Sequence, residues 1–441
     1  MQSTDFDKFI GIEIYTTKAP GIGGRLRRHL EDFVVQEIGI DGDVAPLKPA
    51  SKDYPDQPGK FIAFFLVKRN IDSIQAIRRI SRALGISYKR FSYAGIKDRR
   101  AVSSQRITLY RGDPHDLIGR EIPNIQLLHP HRVQKPILPG QLFGNHFTII
   151  IRDLDVTGKE VVNRITAIQQ EYEKQSGIIN FFGHQRFGVT QPTTHLIGKQ
   201  ILLGNLQEAI HILLDISRID DPSSKEDNEN SLERTETQRH TKYRTYERAI
   251  SNYLAKHPGD YKGSLSVLPK DLVRLYIHAY QAFLFNKALS QRAKRGIQLN
   301  NPTVGDFTMP TTGEIHATRM VTTATLPQTE EDIKNGLRKL VIPIIGYDFE
   351  HIEFEGPMGE IITKILEEEQ ISPNMFRLKH LPAFNSRGTF RPILIQPNNF
   401  QFSKINEEAE TAVRFSFDLK KGSYASVVLR EFIKPKYPTQ L

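Results

Sequence analysis

Ala94-Gly95-Ile96-Lys97-Asp98-Arg99-Arg100-Ala101-Val102 places one carboxylate among three cations, just after a glycine and just before an apolar run. Glycine tolerates backbone conformations closed to other residues, so Gly95 reads as the pivot of a turn that presents Asp98. Cations close to a carboxylate favour its charged form, and an ionised aspartate is a nucleophile at neutral pH. The same cations attract the phosphates of a nucleic acid. The competing reading is a surface turn whose charges are only solvated. Downstream, 101–110 has strand character. Upstream, Asp72 can cap a helix whose apolar positions Ile74, Ile77, Ile80 and Leu84 follow helical spacing, with Gly85 as its stop. The opposite face of that helix carries Arg78, Arg79 and Arg82.

Farther out, 33–40 reads as a strand, 61–67 as a buried strand and 145–151 as another, while 159–173 reads as a helix. Strands and helices therefore alternate through the first part of the chain, which points to α+β or α/β. The texture changes at 219–242, where Asp220, Asp221, Pro222, Ser223 and Ser224 open a polar stretch with the signature of a loop or linker. A strong helix follows, with Asp271 at its start and an apolar stripe of Leu272, Leu275, Ala279 and Phe283 overlapped by Tyr276 and Tyr280. Strands are expected around 305–307 and 341–345, and again at 413–419 and 424–432.

Lys and Arg number 60 against 50 Asp and Glu, a formal charge of 60 − 50 = +10, in a chain of 441 residues. That length exceeds the usual ceiling for one hydrophobic core, so two domains are expected. The charge favours polyanionic partners, nucleic acid ahead of an acidic membrane surface. The chain contains no cysteine, which excludes disulfides, thiolate metal sites and cysteine nucleophiles. Its 14 histidines show no HExxH spacing, so no metal is expected. No serine sits in a GxSxG elbow, and the glycines at 21–24 lack the Lys-Ser/Thr of a phosphate loop. The longest apolar run, 61–67, is far too short for a membrane span. Residues 1–11 lack a basic segment followed by an apolar one, so a cytoplasmic location is expected.

Three more clusters stand out. Asn180-Phe181-Phe182-Gly183-His184-Gln185-Arg186-Phe187-Gly188 combines aromatics, an amide and an arginine, the residue types that stack on and read an exposed base, although at least one Phe belongs to a core. Gly422-Ser423-Tyr424-Ala425-Ser426-Val427-Val428-Leu429-Arg430-Glu431 reads as a turn entering a buried strand. In the third, basic residues from Arg27 precede Glu31-Asp32-Phe33-Val34-Val35.

In this order the four clusters resemble the TruD family of tRNA pseudouridine synthases. The carrying residues are Ala94-Gly95-x-Lys97-Asp98-Arg99-x-Ala101-Val102 with Gln105, and Asn180-x-Phe182-Gly183-x-Gln185-Arg186-Phe187-Gly188. The run 422–431, Gly144-Asn145-x-Phe147 and Tyr280-Gln281-x-x-Leu284-Phe285-Asn286 add to them. The resemblance covers essentially the whole chain and suits an archaeal-like member. It implies an α+β fold: a catalytic domain of mixed, mainly antiparallel sheet with flanking helices, interrupted by a family-specific α/β insertion. The catalytic domain would take 1–195 and 389–441, the insertion 196–388, with a basic cleft between the two.

The resemblance further implies isomerisation of a tRNA uridine, position 13 of the D arm, with Asp98 as the nucleophile attacking C6 of the base or C1′ of the ribose. Phe182 would stack on the target base and Asn180 contact it. Phe33 and Tyr424 would touch the substrate, and Arg27, Lys97 and Arg99 would be supporting cations. No cofactor, metal, membrane or obligatory protein partner is implied, because the leaving base is itself the recombining nucleophile. Two departures, Leu30 where proline is common and Arg100 where histidine is common, motivate an alternative: a catalytically inactive tRNA-binding or RNA-chaperone protein on the same fold.

Overall fold

The computed structural model describes residues 3–49, 52, 54–188, 192–219, 233–406, 411–437 and 440. In chain order its strands are β1 Gly23–Leu26, β2 Phe33–Ile38, β3 Phe61–Arg69, β4 Phe91–Tyr93, β5 Val102–Tyr110, β6 Ile125–Val133, β7 Gly144–Leu154, β8 Ile178–Ile179, β9 Phe307–Pro310, β10 Arg319–Met320, β11 Arg338–Ile344, β12 Thr389–Pro392, β13 Leu394–Ile395, β14 Asn398–Asn406 and β15 Thr411–Lys420. The α-helices are α1 Asp5–Phe9, α2 Ser73–Ala83, α3 Gly158–Lys174, α4 Thr194–Leu203, α5 Leu206–Ile219, α6 Glu233–Lys256, α7 Tyr261–Ser266, α8 Lys270–Lys294, α9 Leu326–Lys334, α10 Gly356–Glu369 and α11 Ala425–Ile433. The chain divides into two compact units, an outer one of Thr17–Ile178 with Ile395–Leu441 and a middle one of Met1–Thr16 with Ile179–Leu394.

The outer unit is built on a sheet of order β14-β15-β7-β2-β5-β3-β6, with β1 added on β7 and β4 on β5. Its pairings are antiparallel except β2 with β5, which is parallel. This is the mixed, mainly antiparallel α+β arrangement expected. β3 explains why the sheet lies inside the unit. Ile62, Phe64 and Leu66 pack against Ala76, Ile77 and Ile80 of α2, while Phe65 and Val67 pack on the other face with Ala45 and Leu128. A strand buried on both faces loses the polar alternation of a half-exposed one.

α2 begins where expected, with the Asp72 carboxylate accepting from the Gln75 amide at 2.9 Å. Ile74, however, is exposed. The buried stripe runs through Ser73, Ala76, Ile77, Ile80 and Ser81, and Ile74 lies just past its edge, about 90° from its centre. The larger correction is 424–432, expected as a strand. It forms the helix α11, in which Val427, Val428, Leu429, Arg430, Glu431, Phe432 and Ile433 are all buried. A short segment enclosed all round shows no polar stripe, so its period is invisible in the sequence.

The middle unit is organised by α8, which starts at Lys270 and extends past the expected stripe to Lys294. Leu275 faces solvent, while Tyr276, Ala279 and Tyr280 are buried as expected and Val273 and Ile277 join them. α4 crosses α8 at Gly198, where a Cβ would collide with the Tyr276 carbonyl oxygen, so only glycine permits this approach. A sheet of order β10-β9-β11-β12 completes the unit, with Phe307, Met309 and Val341 in its core. Of the polar stretch 219–242, residues 220–232 lie outside the described residues, and from Glu233 the chain is the helix α6, not a linker.

The edges of the units differ from the boundaries expected at 195/196 and 388/389. The chain changes unit at 178/179 and 394/395, and residues 1–16 belong to the middle unit. The cause is α8. Asn286 donates to the Ile10 carbonyl at 3.0 Å and Ser290 to the Gly11 carbonyl at 2.7 Å, fastening the N-terminal segment.

The same helix carries a deeply buried ion pair. Arg292 donates to Asp306 at 2.6 and 2.9 Å, with side chains 1% and 3% exposed. Removing one partner strands a buried charge, so Arg292→Met should lower unfolding free energy by about 3–5 kcal/mol. Urea denaturation checks this, and Arg292→Met with Asp306→Leu should recover much of the loss.

Candidate active site

The loop between β4 and β5 carries Asp98, and its backbone is held almost residue by residue. The Ala94 carbonyl accepts from Gly140 N at 2.7 Å, and the Ala101 carbonyl from Asn70 N at 3.3 Å. The Gly95 carbonyl accepts from Gln105 Nε2 at 3.0 Å. Gln105 Oε1 in turn accepts from Ser73 Oγ at 2.6 Å, and Ser73 Oγ accepts from the Lys97 amide at 2.9 Å. Ser73 and Gln105 are wholly buried. One relay across α2 and β5 thus satisfies a carbonyl and an amide on either side of Ile96. Unpaired, each would cost about 1–3 kcal/mol. Gly95 turns without a positive φ, so its freedom in the left-handed region is not used; its carbonyl is bonded by Gln105.

Lys97 also departs from expectation. It is buried rather than facing a phosphate or the Asp98 carboxylate, with its ammonium 3.0 Å from Glu37 Oε2 and 2.6 Å from Asn145 Oδ1. Its charge is used to join β2, β7 and the loop. Arg99 is half-buried in the same loop, with its carbonyl accepting from Ala101 N at 2.9 Å.

Arg27 meets Asp98 directly. Its Nη2 lies 3.1 Å from Asp98 Oδ2, and its guanidinium lies over the Phe33 ring at 4.1 Å from the centroid. Arg27 has φ +58°, a strained conformation for a side chain of this kind. Arg100 donates to the Arg27 carbonyl at 2.7 Å and stabilises that turn. Phe33 is therefore a platform that orients Arg27, and Arg100 acts on the Asp98 clamp from behind. The departure at Arg100 thus serves the clamp, and the inactive-protein alternative draws no support from it. Asp98 itself stays 51% exposed, the access that a nucleophile requires.

Tyr424 is half-buried at the start of α11, where its carbonyl accepts from Val427 N at 3.1 Å. Its turn is tied towards the Asp98 loop through residue 140, because Lys421 donates to the Gly140 carbonyl at 2.8 Å.

Asn180 and Phe182 belong to the middle unit. Asn180 Oδ1 accepts from Arg391 Nη2 at 2.6 Å, and its Nδ2 donates to the Pro392 carbonyl at 2.8 Å. The Arg391 guanidinium also lies over the Phe182 ring at 4.2 Å, and Arg186 approaches the same ring at 5.6 Å. Asn286 accepts from the Phe182 amide at 2.8 Å and donates to its carbonyl at 3.1 Å. Two motifs separated by about a hundred positions in sequence thus form one structure.

Three participants escaped the sequence reading. Lys68 is fully buried on β3 and donates to the Asp98 carbonyl at 2.6 Å. It shares the parity of Ile62, Phe64 and Leu66, so a cation at an inward position was a visible anomaly. Ser73 and Arg391 carried no such mark, since a serine at a helix start and an arginine in a strand are ordinary.

Among the described residues, no group of three or more His, Asp or Glu side chains is placed to hold a metal ion, and no helix is long and apolar enough to cross a membrane. The outer unit is a mixed sheet that presents a guanidinium-paired, solvent-accessible aspartate on a hydrogen-bonded loop. The chain matches the family model described as tRNA pseudouridine synthase D (TruD) over residues 9–432. A Methanosarcina acetivorans protein named "Probable tRNA pseudouridine synthase D" is 34% identical over 454 residues, 98% of this chain and 98% of the relative. One of the same name from Methanococcoides burtonii is 32% identical over 442 residues, 97% of each. A crystal structure of a Methanosarcina mazei TruD protein matches with a TM-score of 0.80 and 33% identity, covering 100% of both chains. The chain belongs to the TruD family of tRNA pseudouridine synthases, which are isomerases acting on tRNA.

Arg27→Met should remove both the ion pair and the stacked guanidinium while leaving Asp98 in place. We expect turnover to fall by about 10²–10³-fold, as for loss of one oriented charge in a site. Arg27→Lys should recover only part, because an ammonium cannot reproduce the planar contact with Phe33. Single-turnover rates on tRNA measure both.

Proposed function

We propose that Asp98 is the nucleophile of this synthase, and that its target is the uridine at position 13 of the tRNA D arm, in the cytoplasm. The observation that carries the reading is the Asp98 clamp: a half-exposed carboxylate whose oxygen is held by Arg27 at 3.1 Å and whose backbone is held from below. Attack by the carboxylate on C6 of uracil or C1′ of ribose frees the base from its nitrogen–carbon bond. The base turns, its C5 bonds to C1′, the proton on C5 leaves while N1 takes one up, and the aspartate departs as it arrived. Atoms are conserved and no external oxidant or cofactor enters.

A uridine in a folded tRNA must first leave its stack, at a cost of a few kcal/mol. Base stacking on aromatic side chains is worth about 1–3 kcal/mol per base and offsets much of that. Tyr424 is the proposed contact in the outer unit, with Arg99 as a supporting cation; Phe33, also proposed as a contact, is buried beneath the Arg27 guanidinium, so a base reaches its ring only if that guanidinium moves. Asn180 and Phe182 are the proposed contacts in the middle unit. Asn180 already commits its oxygen to Arg391 and its nitrogen to Pro392, so a direct bond to a base requires exchange of one of them.

The test is pseudouridine formation in unmodified tRNA by wild type and by Asp98→Asn, which keeps shape and removes the charge. We expect the variant to fall by at least about 10³-fold, about 4 kcal/mol in the barrier, with tRNA affinity changed by less than about threefold. Equal product from the two proteins rejects Asp98 as nucleophile. Affinity of either protein should fall linearly in log–log form with salt as phosphate counterions are released.

A further inference from the structure

Lys68 is the last inward position of β3, in line with Ile62, Phe64 and Leu66, and none of its surface reaches solvent. A buried ammonium is expensive unless it is paired. Among the described residues, however, no carboxylate lies within ion-pair distance of it, and its bonding partner is the main-chain carbonyl of Asp98 at 2.6 Å. A methionine or leucine would fill the strand position without that cost, so packing gives no reason for a lysine here. The reason lies in the loop above it.

The carbonyls of Ala94, Gly95, Arg99 and Ala101 are held by backbone or neutral amide donors. The carbonyl of Asp98 alone among these is held by a cation. We propose that Lys68 is a positioning residue for the isomerisation, its buried ammonium fixing the Asp98 main chain so that the carboxylate stays on Arg27 and open to the uridine. The proposal rests on Asp98 being the nucleophile.

The charged groups that face Lys68 are Asp98 itself, Asp72 at the start of α2 and Lys97, with Glu37 paired to Lys97 behind it. Arg69, the next residue of the strand, is turned outward to Glu31. Burial is the largest influence and pushes the ammonium down to about 8, against the opposing pull of Asp98 and Asp72. The ammonium therefore predominates at neutral pH and is lost as pH rises through about 8. The neutral amine still donates, but without charge assistance and without a positive field beneath the nucleophile. Between about 8 and the ordinary lysine value of 10.5 the unfolded chain binds the extra proton, so this group makes folding more favourable as pH rises. A loss of activity in that window is then not unfolding caused by Lys68.

The experiment is kcat, KM and tRNA dissociation constant from pH 6 to 10 for wild type, Lys68→Met and Lys68→Arg, with thermal unfolding of each. Wild-type kcat should decline above pH about 8. Lys68→Met should lose about 10²-fold in kcat at pH 7 with tRNA affinity within about threefold, and its alkaline decline should vanish. Lys68→Arg keeps the charge at every pH, so it should recover part of kcat and also lack the decline. Wild-type kcat in Lys68→Met overturns the proposal, as does a lowered kcat that retains the same alkaline decline. Should Lys68→Met fail to fold, a wild-type decline persisting in Lys68→Arg overturns it equally. Wild type that forms no pseudouridine at any pH, or Asp98→Asn with full activity, would instead sink the functional reading beneath it.

Discussion

Everything in the outer unit depends on giving the loop 94–101 one conformation. A loop that offers its carboxylate to solvent lays its own amides and carbonyls against a dry sheet end, where each must find a partner. The side-chain partners come from three elements: Ser73 from α2, Lys68 from β3 and Gln105 from β5, the strand that follows the loop. Because Ser73 and Gln105 bond each other as well as the loop, neither can turn away without stranding the other. The loop is rigid by satisfied polarity more than by apolar packing.

Charge is distributed around this loop with a clear division of labour. Lys97 and Glu37 are buried and structural, Lys68 sits under the Asp98 carbonyl, and Arg27 faces the carboxylate. Arg27 is itself fixed from two directions, by Arg100 at its carbonyl and by Phe33 under its guanidinium. The turn that leads into Phe33 is anchored by Asp32, which accepts from Arg152 at 2.9 Å and from the His29 amide at 2.7 Å. Basic residues clustered along a chain are thus not interchangeable: the depth of each decides whether it binds, orients or braces.

The middle unit solves a similar problem with amides. Asn286 and Gln281, on successive turns of α8, bond backbone groups from four other segments, including both groups of Phe182. Arg391 then joins Asn180 to the Phe182 ring. The residues around Phe182 are positioned by a helix a hundred residues on and by a strand two hundred residues on, and a single 3-10 turn at His184–Arg186 is the segment's own regular structure.

The residue pattern alone narrowed the class to α+β or α/β and determined the central strands β2, β3, β5, β7 and β15, the cap of α2 and the candidacy of Asp98, because period, turn chemistry and local charge are written in neighbouring residues. It misplaced α11 as a strand, since enclosure on every side erases the polar stripe that reports a helix. It took Lys97 for a supporting cation beside Asp98 and overlooked Lys68, since charge is legible in a chain but depth is not. Only the tertiary structure decided which of several cations meets Asp98, that residues 1–16 belong with α8, and that Asn180 is bonded by Arg391. Each of these is a contact between segments far apart in sequence, set by how the sheet and helices pack and not by any local preference.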